Sequence, residues 1–135
     1  MNEAKLEKKP RILIVEDELE SQKYFELILR KKFELDLCDT KKSMYSLLSK
    51  QDYYVIIMDI SLKGGTNGVD LIKELKKSTS NINTPIICLS AHAFSEDRLK
   101  AEDAGADIYL TKPIKGQILI NAIEELIVKS LAVNK

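Results

Sequence analysis

The stretch ILIVEDE, Ile12 to Glu18, runs four aliphatic residues directly into three acidic ones. An unbroken aliphatic run of this length reads as a strand buried on both faces, as in parallel sheets covered by helices. Carboxylates at the end of such a strand need a counter-charge or a task.

The same kind of run recurs along the chain. Arg11 to Val15, Val55 to Met58, Pro85 to Leu89 and Asp107 to Leu110 are short and aliphatic, and FELDLC (Phe33 to Cys38) supplies a weaker second strand. Between them apolar residues fall at three-and-four spacing: Phe25, Ile28 and Leu29; Met44, Leu47 and Leu48; Ile72 and Leu75. The last stripe, Leu119, Ala122, Ile123, Leu126 and Ile127, covers two turns of a core-facing helix. Five strand-then-helix units predict a doubly wound α/β domain with a parallel sheet.

The 135 residues suit one compact domain. A charged segment of residues 1–10 precedes it, the domain is expected over 11–131, and 132–135 form a short tail. With 44% hydrophobic and 31% charged residues, and 21 basic against 21 acidic, the chain has no net field to steer nucleic acid. No direct DNA binding is expected. MNEAKLEKKP has no apolar leader, and no later run approaches the roughly 18 apolar residues of a membrane span. A cytoplasmic location without membrane insertion is the expectation. Cys38 and Cys88 lie in strand-like runs and read as core thiols.

Doubly wound sheets bind ligands beyond the carboxyl ends of their strands. The residues at those ends are Glu16 and Asp17, then Asp59, Ser90, and Thr111 with Lys112. Carboxylates brought within about 4 Å repel by roughly 4 kcal/mol per pair at an effective dielectric of 20, so the crevice calls for a cation. Mg²⁺, which takes one or two carboxylates and keeps several waters, suits an open edge. No His or Cys cluster offers a zinc site. Acids, a lysine and a hydroxyl arranged in this way can neutralise a phosphoryl group in transfer, with Asp59 as nucleophile. Glu18 and Glu20 read instead as acids favoured by a helix N-terminus.

LIVEDE, VIIMDISL, PIICLSAHA and GADIYLTKPI, in this order, resemble the receiver domains of two-component response regulators from Arg11 onward. The resemblance implies a flavodoxin-like (βα)5 fold with strand order 2-1-3-4-5. It implies Asp59 as the phosphoacceptor, with Mg²⁺ held by Asp17, by Asp59, by Glu16 through water and by the backbone carbonyl of Ser61. Lys112 would bind the phosphoryl group and Ser90 would hydrogen-bond to it. Tyr109 would be the aromatic that turns inward as Ser90 moves, and is expected mixed or outward before phosphorylation. The Lys112–Pro113 bond is expected to be cis. In this strand order Cys38 and Cys88 lie three strand spacings apart, about 14 Å, beyond the roughly 7 Å between Cα atoms that a disulfide spans.

The phosphoryl group would come from a histidine kinase or a histidine phosphotransfer protein. His92 is the only histidine, so the donor is external; His92 itself reads as a loop residue with a secondary chance of influencing attack by water. The response would be read by a downstream protein. Only LAVNK follows the last helical stripe, so a stand-alone receiver, or one excised from a larger protein such as a hybrid histidine kinase, is expected. The loop DISLKGGTNG departs from the family's usual Asp-x-x-Met-Pro form and reaches its glycine, Gly68, one residue late.

Three rivals differ in chemistry. A flavin carrier would need a phosphate loop where EDEL puts negative charge. An aspartyl phosphatase of the haloacid-dehalogenase type would need a second Asp two residues after Asp17 and a lid. A degenerate receiver acting only as an interaction module would lack one of the switch residues, and all five positions are filled.

Overall fold

The computed structural model describes residues 9–60, 67–91 and 95–133. Ser61, His92 and the first eight residues lie outside them. The chain alternates strictly between strand and helix: β1 (Arg11–Val15), α1 (Leu19–Leu29), β2 (Glu34–Cys38), α2 (Lys41–Leu48), β3 (Val55–Asp59), α3 (Gly68–Lys77), β4 (Ile86–Ser90), α4 (Ser95–Ala104), β5 (Ile108–Thr111) and α5 (Gly116–Val133). All strand pairs are parallel, in the order β2-β1-β3-β4-β5. This is the flavodoxin-like arrangement expected from the sequence.

The three central strands are buried almost without break, which explains why they read as unbroken aliphatic runs. Their side chains alternate between two cores. Leu13, Val15, Ile56, Met58, Ile86 and Cys88 pack with Met44, Leu71, Ile72 and Leu75, on the side of α2, α3 and α4. Ile12, Ile14, Val55, Ile57, Ile87 and Leu89 pack with Phe25, Leu29, Leu119, Ile123 and Leu126, on the side of α1 and α5. Edge strand β2 is only partly covered, and Arg11 and Tyr53 both hydrogen-bond to its Asp36.

Cys38 on β2 and Cys88 on β4 are both free and buried, with β1 and β3 between their strands. The Pro10 carbonyl accepts from Glu34 N, extending the β1–β2 ladder. Helix α5 continues to Val133 because LAV contains no Gly or Pro to stop it.

Helix α4 has no counterpart among the apolar stripes of the sequence. Of its residues only Ala101 and Ala104 are buried among those whose exposure is described, and Leu99 is 58% exposed. It is held by small contacts where the other helices insert large side chains.

Candidate functional site

Register brings the strand-end residues together. Val15 pairs with Met58, so the next residues, Glu16 and Asp59, leave neighbouring strands side by side. Asp59 pairs with Leu89, which places Ser90 one step further on β4, and Ser90 pairs with Thr111. Past the end of β5, Lys112 N donates to Ser90 O at 2.7 Å, so the ladder continues one residue and fixes the start of the lysine. The Lys112–Pro113 peptide is cis, as expected.

Glu16, Asp59 and Ser90 are buried polar residues in an otherwise apolar interior. Lys112 Nζ donates to Asp59 Oδ2 at 2.7 Å and to Glu16 Oε1 at 3.0 Å, bridging the two acids. The second Glu16 oxygen accepts from Glu18 N at 3.0 Å. Gln22 Nε2 donates to the Glu16 carbonyl at 2.6 Å, tying the first turns of α1 to the crevice. Asp17 is half-buried at the same edge. Among the described residues no buried side-chain nitrogen or oxygen lacks a hydrogen-bond partner.

Burial pushes the Glu16 carboxyl up to about 7, and its hydrogen bond with Asp59 acts in the same direction, against Glu18 N and Lys112. Burial also opposes the Lys112 charge, but the hydrogen bonds to Asp59 and Glu16 outweigh it and hold the ammonium above its usual range. Lys112 thus bridges Glu16 and Asp59 directly, a pairing that the sequence reading, with Lys112 set opposite the acids, did not foresee.

The backbone beyond Asp59 is fixed by Gly68 at the start of α3. A Cβ there would lie 2.5 Å from Ile60 Cα and 2.8 Å from Asp59 O, both backbone atoms that cannot yield. The N-cap Asn67 accepts from Val69 N at 2.8 Å, and α3 is thereby packed directly against the chain leaving Asp59. Glu18 is the N-cap of α1 by position, but its carboxylate accepts from the Ser21 hydroxyl at 3.1 Å and not from a backbone N–H. Glu20 stands in that helix's first turn, as expected.

Tyr109 pairs with Cys88 on β4 and is buried in the core on the α4 side. The ring is thus inward in this structure. The Arg98 guanidinium of α4 lies over its face, 5.4 Å from the centroid. Nothing in the spacing of the sequence pointed to Arg98.

A family profile, the response regulator receiver domain, matches residues 12–124. The chain belongs to this family. Receiver domains act as phosphorylation-activated switches of two-component signalling, and this one carries the strand-end acids, hydroxyl and lysine just described. It is 33% identical over 126 residues to the regulatory protein VanRB of Enterococcus faecalis, covering 93% of this chain and 56% of that protein. To the transcriptional regulatory protein CusR of Escherichia coli it is 36% identical over 124 residues, covering 91% and 53%. The receiver thus spans about half the length of these curated relatives.

Among solved structures, a Francisella response regulator receiver domain superposes with a TM-score of 0.82 at 28% identity, covering 90% of this chain and 99% of that one. The receiver domain of a Pseudomonas aeruginosa sensor histidine kinase, solved with magnesium coordinated in its active-site cleft, gives 0.80 at 29% identity, covering 88% and 98%.

Proposed function

We propose that this receiver accepts a phosphoryl group from a phosphohistidine onto Asp59, changes its α4–β5–α5 surface, and is reset by hydrolysis. The observation that carries this is the buried Asp59 carboxylate at the sheet's carboxyl edge, with Lys112 Nζ at 2.7 Å. An Asp59 oxygen attacks phosphorus, the phosphorus–nitrogen bond of the donor breaks, and the imidazole leaves. Lys112, already oriented by Asp59 and Glu16, shifts its hydrogen bonds to the incoming phosphoryl oxygens, and Ser90 adds a hydroxyl donor. Water attacking the acyl phosphate later restores the carboxylate.

Among the described residues no three His, Cys, Asp or Glu side chains form a cage for a metal ion. Two edge carboxylates, Asp17 and Asp59, fit Mg²⁺, a hard ion satisfied by one or two carboxylates plus water and substrate oxygens, better than a more demanding cation. Asp17 and Asp59 would hold it, with Glu16 through water and the carbonyl of Ser61. It would supply positive charge to the phosphoryl oxygens.

The donor would be a histidine kinase or a histidine phosphotransfer protein. Beside Lys112 lies an open cavity of about 550 Å³ lined by Glu20, Ser21, Tyr24, Phe25, Pro113 and Ile114, room for an approaching imidazole. Tyr24 Oη donates to Ile114 O at 2.6 Å and joins its two walls. A downstream protein would read the switch, and the chain would work in the cytoplasm.

The test is exposure to acetyl phosphate with Mg²⁺, read by intact-protein mass spectrometry. One phosphoryl adduct is expected, labile to base and lost in Asp59→Asn. An adduct that survives this substitution rejects Asp59 as the acceptor. Complete absence of an adduct, with beryllofluoride also failing to bind, favours a degenerate interaction module.

A further inference from the structure

Helix α4 has little to hold it against the sheet. Its described buried side chains are two alanines, and its one large aliphatic residue, Leu99, points to solvent. Methyl groups bury far less apolar area than the leucines and isoleucines that anchor α3 and α5. Against this background the Arg98 contact with Tyr109 carries weight. Arg98 is exposed, so its guanidinium covers the ring from the solvent side while the ring belongs to the same buried core as Ala101 and Ala104 of α4. A cation over the face of a tyrosine is attracted by the ring quadrupole, and that attraction exists only while the ring lies beneath it.

We propose that Arg98 is a latch: it favours the inward Tyr109 ring and ties α4 to β5 in that state. Its attraction differs between ring positions, which is the condition for one group to bias a two-state equilibrium. The latch also gives a weakly anchored helix a direct dependence on the ring. Arg98 touches no phosphoryl group and is a positioning residue. Its influence on Asp59 chemistry rests on the switch reading above; its influence on the ring does not.

The experiment has two arms on the full 135-residue chain. Without any phosphoryl mimic, solvent relaxation of the Tyr109 ring signals in NMR is compared for wild type, Arg98→Met and Arg98→Lys. Arg98→Met keeps the aliphatic stem and should make the ring more solvent-accessible, while Arg98→Lys should recover part of the protection. An unchanged ring in Arg98→Met overturns the latch. In the second arm, beryllofluoride with Mg²⁺ is titrated into the same proteins and into a Tyr109→Leu background. Arg98→Met should weaken apparent affinity about two- to five-fold beside Tyr109, the size of one partly exposed cation–π contact, and leave it unchanged beside leucine. Equal losses in both backgrounds overturn coupling through the ring. If wild type binds no beryllofluoride, the switch reading fails while the first arm still decides the latch.

Discussion

Lys112 Nζ sits 2.7 Å from Asp59 Oδ2 and also bonds Glu16, so one ammonium bridges two acids that the sheet forces together. Removing one partner of a buried pair commonly costs about 3–5 kcal/mol. The Lys112 side chain is 21% exposed, so water moderates the loss. We expect Lys112→Met to lower stability by about 2–3 kcal/mol in urea unfolding, partly recovered by Mg²⁺, which can replace the missing charge and bind only the folded state. Stability equal to wild type would mean that the acids are solvated and the lysine is no counter-ion.

Asp17→Ala should reduce Mg²⁺ affinity and phosphorylation together while the fold persists, since half-buried Asp17 follows directly on Glu16 beyond the end of β1. Taking a negative charge from the acidic edge should leave metal-free stability equal or slightly higher. A clearly lower melting temperature without Mg²⁺ would assign Asp17 to structure in place of metal binding.

Gly68→Ala should be costly out of proportion to one methyl group. The new Cβ would collide with Ile60 Cα and Asp59 O, and relief requires moving α3 or the chain leaving the acceptor. Overpacking of this kind costs about 1–3 kcal/mol, and here it should also slow phosphorylation because Asp59 itself is displaced. Denaturant melts with phosphorylation rates check both halves; loss of stability alone would mean that α3 yields without disturbing Asp59.

What the sequence disclosed, and what it withheld, follows from which forces set each feature. Central parallel strands must be apolar on both faces, so β1, β3 and β4 announced themselves, and the strand-end rule then placed Glu16, Asp59, Ser90 and Lys112 at one edge. Helix α4 left no stripe because it buries alanines, which carry little periodic signal. Likewise, the Lys112 bridge and the Arg98 contact depend on how β5 and α4 dock, a tertiary outcome with no local spacing to reveal it.

Both cysteines should be inert in the native protein and should weaken it at high pH. Burial pushes the Cys38 and Cys88 thiols up to about 12 from 9.0, so the folded state keeps their protons when the unfolded chain has lost them. Folded pKa values above the unfolded ones mean that this contribution is fully present below about pH 9 and is lost as pH rises toward 12. Native alkylation should be slow at pH 8, and stability should decline from pH 9 to 11. Cys38→Ala with Cys88→Ala should flatten that decline. Rapid native alkylation of either thiol would show that its strand opens to solvent.

Ser90 ends β4 fully buried, and its carbonyl holds the Lys112 backbone, so this one residue joins the acceptor's neighbourhood to the strand that carries Tyr109. Phosphorylation can alter the distant surface only if some group is held differently in the two states. A hydroxyl drawn toward phosphoryl oxygens is such a group, while the backbone bond to Lys112 survives any change of side chain. Ser90→Ala should therefore still accept phosphate, since Asp59 and Lys112 remain, but should respond less at Tyr109 and on the α4–β5–α5 face. The difference in mimic-induced response should match a coupling of about 1–3 kcal/mol, the usual range for linked sites. NMR shift changes on saturation with beryllofluoride, compared between wild type and Ser90→Ala, measure it. A full-sized response in Ser90→Ala, with Asp59 equally occupied, would show that the signal leaves the crevice through Lys112 and β5 without the hydroxyl.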